Sequence, residues 1–408
     1  MNERPKKNGP IASESRGRGP APVLSYGFRP FFLAAGAYGA LSLAFWVGTY
    51  AGILTLPGHL APSLWHGHEM LFGFAAAVIS GFLLTAVSAW TGSPPVSGGH
   101  LGGLVALWLM GRVAFWLADI VNPLTVAALD LVYLPVLIVF VIRRLLAADQ
   151  RRNLIFPVLL GLLFAANLLY HWEDVGWGAD TARVGLRLSI YVFALLIAAI
   201  GGRIVPSFTA NALKKRGDEA DVRSIPVVEK LVMVSMVAAA AADIVEPGGM
   251  IAGGLAVVAA VLLMLRMRYW RTLKPLGEPI LWILHLGHAW LAVAFACSAV
   301  AGLTGLFPEG AALHAFTSGA IGTTVIGMMT RVALGHTGRA LKASPLTVVA
   351  YLLVTGAALL RVAAAAMFPL HAEIWILASG GLWSLAFSLY VVIYWPVLTG
   401  PRIEQSTP

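Results

Sequence analysis

Apolar runs of about 20 residues follow one another along nearly the whole chain, separated only by short polar breaks. A hydrocarbon layer roughly 30 Å thick is crossed by about 20 apolar residues in α-helical form. Lipid offers the backbone no hydrogen-bond partner, so each run has to satisfy its own N–H and C=O groups as a helix. The runs fall at 30–54, 64–90, 101–119, 124–146, 153–172, 183–206, 226–245, 248–268, 279–303, 311–334, 345–368 and 373–396. They predict an all-α integral membrane protein of about twelve transmembrane helices. Only 12% of the residues are charged, against roughly 25% in a soluble domain, which leaves no room for a soluble catalytic domain. The expected organisation is a disordered basic cytoplasmic tail over 1–28, one membrane domain over 29–398 and a short cytoplasmic tail over 399–408. The run beginning at Phe31 has full spanning length and no small-residue cleavage site, so it reads as the first span rather than a removed signal.

The net charge of +9 is a topology signal, not a nucleic-acid footprint. Apart from Arg112, Arg183, Arg187 and Arg361, the lysines and arginines fall in the tails, in alternate loops, or at the helix ends beside them. With an even number of spans this puts both termini in the cytoplasm, although the stretch 91–100, inside by the same scheme, carries no basic residue. The lone cysteine, Cys297, excludes an internal disulfide or a thiolate cluster. No phosphate-binding glycine loop or nucleophile elbow occurs.

The second and tenth runs echo each other. At one constant offset His68 matches His314, Gly73 matches Gly319, Gly81 matches Gly327, Thr91 matches Thr337 and Gly92 matches Gly338. The inner end of the sixth run is a weaker partner, so three repeats of four helices are one reading of the chain.

Ten histidines in so apolar a chain need an explanation. Ionisable groups inside spans face the bundle interior and mark functional sites, and neutral imidazole is the commonest metal ligand. His66 and His68 open the second run two residues apart, about 200° around a regular helix, so they cannot both face one partner. Glu69 flanks His66 closely enough to orient it. His314 opens the tenth run at the depth of His68, and that pair is the expected axial clamp on a haem iron. Hydrogen-bonded interfacial histidines are the alternative. His285 and His288 share a face of the ninth run and suit copper or a second haem, or else a polar pair bonded across helices. Arg187 and Arg361 lie near the level of His68 and His314. They are expected to fork onto haem propionates, or to pair with acids such as Glu373 or Asp180. Arg112 and Asp130 are expected to form a structural ion pair. His171 ends the fifth run on the outer side and reads as an interfacial anchor or else as a member of the outer histidine group, and His59, His100 and His371 read as loop residues without a role.

Five blocks carry a resemblance: YGFRPFF at 26–32, WHGHEMLFGF at 65–74, GFLLTAVSAWTG at 81–92, GRIVPSFT at 202–209 and RVALGHTGR at 331–339. They resemble the signature blocks of NnrS proteins, over about 25–396. The resemblance implies a multi-pass bacterial cytoplasmic (inner) membrane protein containing haem and copper, linked to nitric oxide metabolism, nitrosative stress resistance and denitrification. It puts His66, His68, Glu69, His285, His288, His314 and His336 in the family's histidine-bearing blocks. A looser similarity is to haem–copper oxidases and nitric oxide reductases, with twelve helices in three arcs of four and haem ligands on helices two and ten. The sixth run here has no histidine and the seventh no consecutive pair, which puts reductase chemistry of the known type in doubt.

The expectation is a b-type haem and copper protein that binds or reduces nitric oxide, or removes metal–nitrosyl species, with quinol or another electron donor if it turns over. Its partners are then the lipid bilayer and nitric oxide, and not nucleic acid. The rivals are a membrane transporter of copper, haem or another small solute, and a haem-bearing gas sensor without turnover.

Overall fold

A computed structural model of the chain describes residues 20–403, His59 excepted. Most of the predicted N-terminal tail, residues 404–408 and His59 therefore lie outside the described residues. The structure consists of α1 (Phe28–Tyr50), α2 (Pro62–Thr91), α3 (Gly98–Trp116), α4 (Pro123–Ala147), α5 (Arg151–Asp174), α6 (Thr181–Lys215), α7 (Pro226–Val245), α8 (Met250–Tyr269), α9 (Pro279–Thr304), α10 (Glu309–His336), α11 (Pro345–Ala364) and α12 (Pro369–Thr399). Ten of them are long and apolar enough to cross a membrane. The other two, glycine-rich α3 with Arg112 and α7 with Glu229, Lys230 and Asp243, pack beside the rest. This is an all-α multi-pass membrane protein, as the runs predict.

The helix starts are legible in the sequence. α2, α4, α7, α9 and α11 each begin on a proline, whose missing N–H costs nothing in a first turn. Asn122 and Ser344 precede two of these prolines and accept from the N–H groups of Thr125 and Thr347, at 2.9 and 3.2 Å. The ends are less regular. The sixth run is expected to stop at 206, yet α6 continues through Pro206 to Lys215. Beyond the proline, Thr209 and Leu213 are buried, and Thr209 bonds back to the Val205 carbonyl at 2.8 Å. Tertiary packing thus holds a segment whose polarity alone reads as a loop.

Burial separates inner from outer helices. Within the apolar windows, 83% of α2, 72% of α6 and 78% of α10 are buried, against 39% of α4, α8 and α11 and 33% of α12. α1 packs on α12, so the chain's two ends close the bundle, while α6 touches both α2 and α10 at its centre. Val257, Val261 and Met264 on α8 and Leu385 and Val392 on α12 point outward, as a lipid-facing wall requires.

The echo between α2 and α10 has a backbone counterpart. Right after His68 the helix widens into a seven-residue π-helical stretch, Glu69–Ala75, and right after His314 into another, Ala315–Ile321, at the same offset as the sequence matches. α6 shows no such stretch among the described residues, and a third lies in α11 at Leu360–Ala364. One matched pair, Gly73 and Gly319, sits inside these stretches. A Cβ on Gly73 would come within 2.6 Å of the Tyr38 ring, and one on Gly319 within 2.6 Å of the Trp290 ring. Trp108 donates its indole N–H to the Gly73 carbonyl at 3.0 Å, pinning the widened turn. Gly319→Val is therefore expected to destabilise the purified protein by about 1–3 kcal/mol through overpacking. Thermal unfolding in detergent checks this, with Gly310→Val, where no atom lies within 4 Å of the added carbon, as the harmless comparison.

Candidate functional site

His66 and His68 look to opposite sides of α2, as their spacing dictates, and each side is a different environment. On the His68 side lies a dry polar cluster. His68 Nδ1 is 2.8 Å from Glu69 Oε1, and its Nε2 is 2.8 Å from Asn167 Oδ1 and 3.4 Å from Asp130 Oδ2. Asp130 Oδ2 also accepts from Asn167 Nδ2 at 2.7 Å and lies 3.0 Å from His171 Nε2. Arg112 joins the two acids, donating to Glu69 Oε1 at 2.9 Å and to Asp130 Oδ1. Tyr38 donates its hydroxyl to Glu69 Oε2 and receives the indole N–H of Trp116 at 3.2 Å. The His68 ring stacks on Phe115, centroids 4.0 Å apart. His68, Glu69, Arg112, Asp130, Asn167 and His171 are all at most 5% exposed.

On the His66 side lies a cavity of about 740 Å³, inside the range of roughly 300–1,000 Å³ typical of small-molecule and cofactor sites. α2, α6, α10 and α12 supply most of its wall and α11 adds Arg361, with Leu71, Phe74, Ile190, Ile321 and Trp383 among the apolar lining and His66, His314 and Arg361 among the polar. His66 stacks on Trp46 at 4.3 Å, and its buried Nδ1 has no hydrogen-bond partner. His314 Nδ1 is 2.6 Å from the Gly310 carbonyl, the bond that leaves Nε2 as the acceptor nitrogen. Arg361 makes no hydrogen bond or ion pair with another described residue.

Of the expected axial pair, His314 lines the cavity and His68 does not; the α2 histidine on that wall is His66, while His68 is turned into the polar cluster with an oxygen against each ring nitrogen. Glu69 accordingly orients His68 rather than His66. Arg187 borders the cavity but is already paired, with Asp243 at 2.5 Å and with Glu309, neither of them the acids expected from sequence. Asp180 pairs with Arg183 instead. The Arg112–Asp130 pair is present as expected.

His285 and His288 do share a face of α9, turned toward Trp270, and their ring nitrogens lie against hydroxyls and carbonyls there. His285 Nε2 and Nδ1 lie 2.8 and 3.1 Å from the hydroxyls of Thr209 and Thr272. His288 Nδ1 and Nε2 lie 2.9 and 3.3 Å from the carbonyls of Leu284 and Ile197, and Gly201 leaves room for its ring. Among the described residues no third histidine, cysteine or carboxylate joins them as a ligand set. His336 is exposed and packs its ring 5.6 Å from Phe28.

His171 is buried in the cluster with His68 rather than anchored at the interface, and Asn167 lies beside it. A sequence signal did exist: Asn167 and His171 are four apart in an apolar helix, on one face, at a depth matching Asp130.

The fold and site define a class: a multi-pass α-helical membrane protein with a histidine-walled cavity among its inner helices. The chain matches the family described as NnrS protein over residues 22–402 and belongs to that family, which links it in general to the nitric oxide response. No curated protein matches it.

The two arginines next to the two sites separate structural from site roles. Removing Arg112 leaves Glu69 and Asp130 buried without their cation, so Arg112→Ala is expected to cost roughly 3–5 kcal/mol. Arg361→Ala removes a side chain with no partner and is expected to change stability by about 0.5 kcal/mol or less. Unfolding temperatures of the two variants in one detergent check the contrast; equal losses would contradict it.

Proposed function

We propose that this chain is a haem protein of the nitric oxide response, and that the cavity holds a b-type haem through His66 and His314. The observation that carries this reading is the pair of imidazoles on the wall of one cavity, each with a nitrogen that no other group occupies. The Nδ1–H of His314 is held by a backbone carbonyl, the arrangement that typically fixes a metal-ligating histidine. His66 is held in place by stacking on Trp46 alone. Arg361 has no carboxylate of its own, and a guanidinium forks readily onto a propionate. With Cys297 alone, a covalent thioether attachment through two cysteines is excluded, which favours the b type.

When bound, the haem would supply an iron able to coordinate nitric oxide in place of one of the two histidines. The chain's own contribution is to bind and orient the haem with His66, His314 and Arg361, and to exclude water with Phe74, Ile321 and Trp383. An apolar gas reaches such a site through lipid and needs no polar path. The distribution of basic residues supports a cytoplasmic-membrane location with both termini inside. The cavity, lying toward the N-terminal ends of α2, α6 and α10, is then in the outer half of the bilayer. Copper is not assigned to His285 and His288, because no third histidine, cysteine or carboxylate joins them among the described residues.

The test is the optical spectrum of detergent-purified protein expressed with ample haem: oxidised, reduced, and reduced with nitric oxide. A Soret band that shifts on adding the gas is expected, lost or displaced in His66→Ala and in His314→Ala while the protein still inserts. Loss of nitric oxide on adding a quinol would extend binding to turnover. Intact spectra in both variants would overturn the ligand assignment. No Soret band in the unaltered protein would overturn the haem reading and leave a transporter as the leading alternative.

A further inference from the structure

The dry cluster on the other side of α2 is more than an ion pair. His68 has an oxygen against each ring nitrogen, Glu69 Oε1 at Nδ1 and Asn167 Oδ1 at Nε2, both at 2.8 Å. Asn167 cannot turn its amide to relieve this, because its Nδ2 already donates to Asp130. A neutral imidazole carries one N–H, so one of its lone pairs faces an oxygen unless that oxygen carries a proton or a cation lies between. Three atoms converge on that place: His68 Nε2, His171 Nε2 and an Asp130 carboxylate oxygen, within 4.8 Å of one another. Asp130 Oδ2 is 3.4 Å from His68 Nε2 and 3.0 Å from His171 Nε2. A tetrahedral ion with bonds of 2.0–2.2 Å sets its ligands about 3.3 Å apart, so these separations are those of a coordination polyhedron's edges.

We propose that His68, His171 and Asp130, with Asn167 Oδ1 in the fourth position, bind a first-row transition-metal dication that fastens α2, α4 and α5 together. The donors are two imidazole nitrogens and two oxygens with no sulfur, a set that suits Zn²⁺, Fe²⁺ or Cu²⁺. Glu69 on the far nitrogen of His68 is the carboxylate–histidine–metal arrangement that fixes tautomer and ring orientation, and Arg112 and Tyr38 hold Glu69 in turn. All four ligands are at most 5% exposed, and protein fills every position, so the ion is structural, not catalytic. The site is separate from the cavity and stands whether or not the cavity takes haem.

The test is metal content of the full-length purified protein after dialysis against EDTA, by mass spectrometry, with haem iron measured separately and subtracted. About one ion per chain is expected in the unaltered protein and in His285→Ala. His171→Gln and Asn167→Leu are expected to weaken retention about tenfold or more. Should the variants fail to accumulate, X-ray absorption of the metal in the unaltered protein decides, with two imidazoles and a mixed oxygen shell expected. An unaltered protein bare of non-haem metal under zinc, iron and copper supply would overturn the proposal. So would metal retained in His171→Gln but lost in His285→Ala, or an absorption spectrum without imidazole scattering.

Discussion

Inside a lipid bilayer a polar group must be answered by another polar group of the same chain, and the arrangement around α2 depends on that constraint. On one side it is met densely. Arg112 bridges Glu69 and Asp130, and His68, Asn167 and His171 fill the remaining positions. On the other side it is not met, since His66 and Arg361 border an open cavity with no partners of their own. Other buried atoms also lack partners, Arg112 Nε and His171 Nδ1 within the cluster and Trp270 Nε1 elsewhere among them, but those residues do not line the cavity. Unanswered polarity beside empty volume is what a ligand site looks like before its ligand is considered. Two residues of helix, from His66 to His68, therefore separate a scaffold from a binding site.

Much of the fold is legible in the sequence because lipid enforces a simple rule. Run length gives the spans, and Pro62, Pro123, Pro226, Pro279 and Pro345 mark where helices begin. The site is only half legible. Spacing states that His66 and His68 diverge, but not which of them meets His314, because that depends on how α2 is rotated in the bundle. Arg187 finds Asp243 and Glu309, acids distant in sequence that only the packing of α6 against α7 and α10 brings within reach. Sequence ties Asp130 to Arg112 and puts Asn167 and His171 on one face, but their meeting with His68 appears only when α4 and α5 pack beside α2. Periodicity shows which residues share one helix face; it does not show which faces of separate helices meet.

The contrast between Arg187 and Arg361 shows how the same residue type takes different roles at one cavity. Arg187 holds the beginning of α10 to α6 and the end of α7, with Tyr191 also donating to Asp243 at 2.8 Å. It is a brace, and its charge is spent on protein carboxylates. Arg361 makes no ion pair with a described acid and borders the cavity. Removing Arg187 would loosen the cavity's frame, whereas removing Arg361 would change what the cavity can hold.

The backbone points to the same place. A π-helical turn gives up regular α-helical hydrogen bonding to fit in an extra residue, and such turns are uncommon except at functional sites. The described residues contain three π-helical stretches, and each contributes to the cavity wall: Leu71 and Phe74 from the first, Thr317, Ser318 and Ile321 from the second, Arg361 from the third. Two of them follow His68 and His314 at matching positions, so the internal echo preserves a backbone irregularity together with its histidine. In α2, however, the residue facing the cavity is His66, two positions before the matched one. The repeat thus supplies two similarly widened helices, and a small difference in their facing gives the chain an asymmetric pair of sites, one open and one closed.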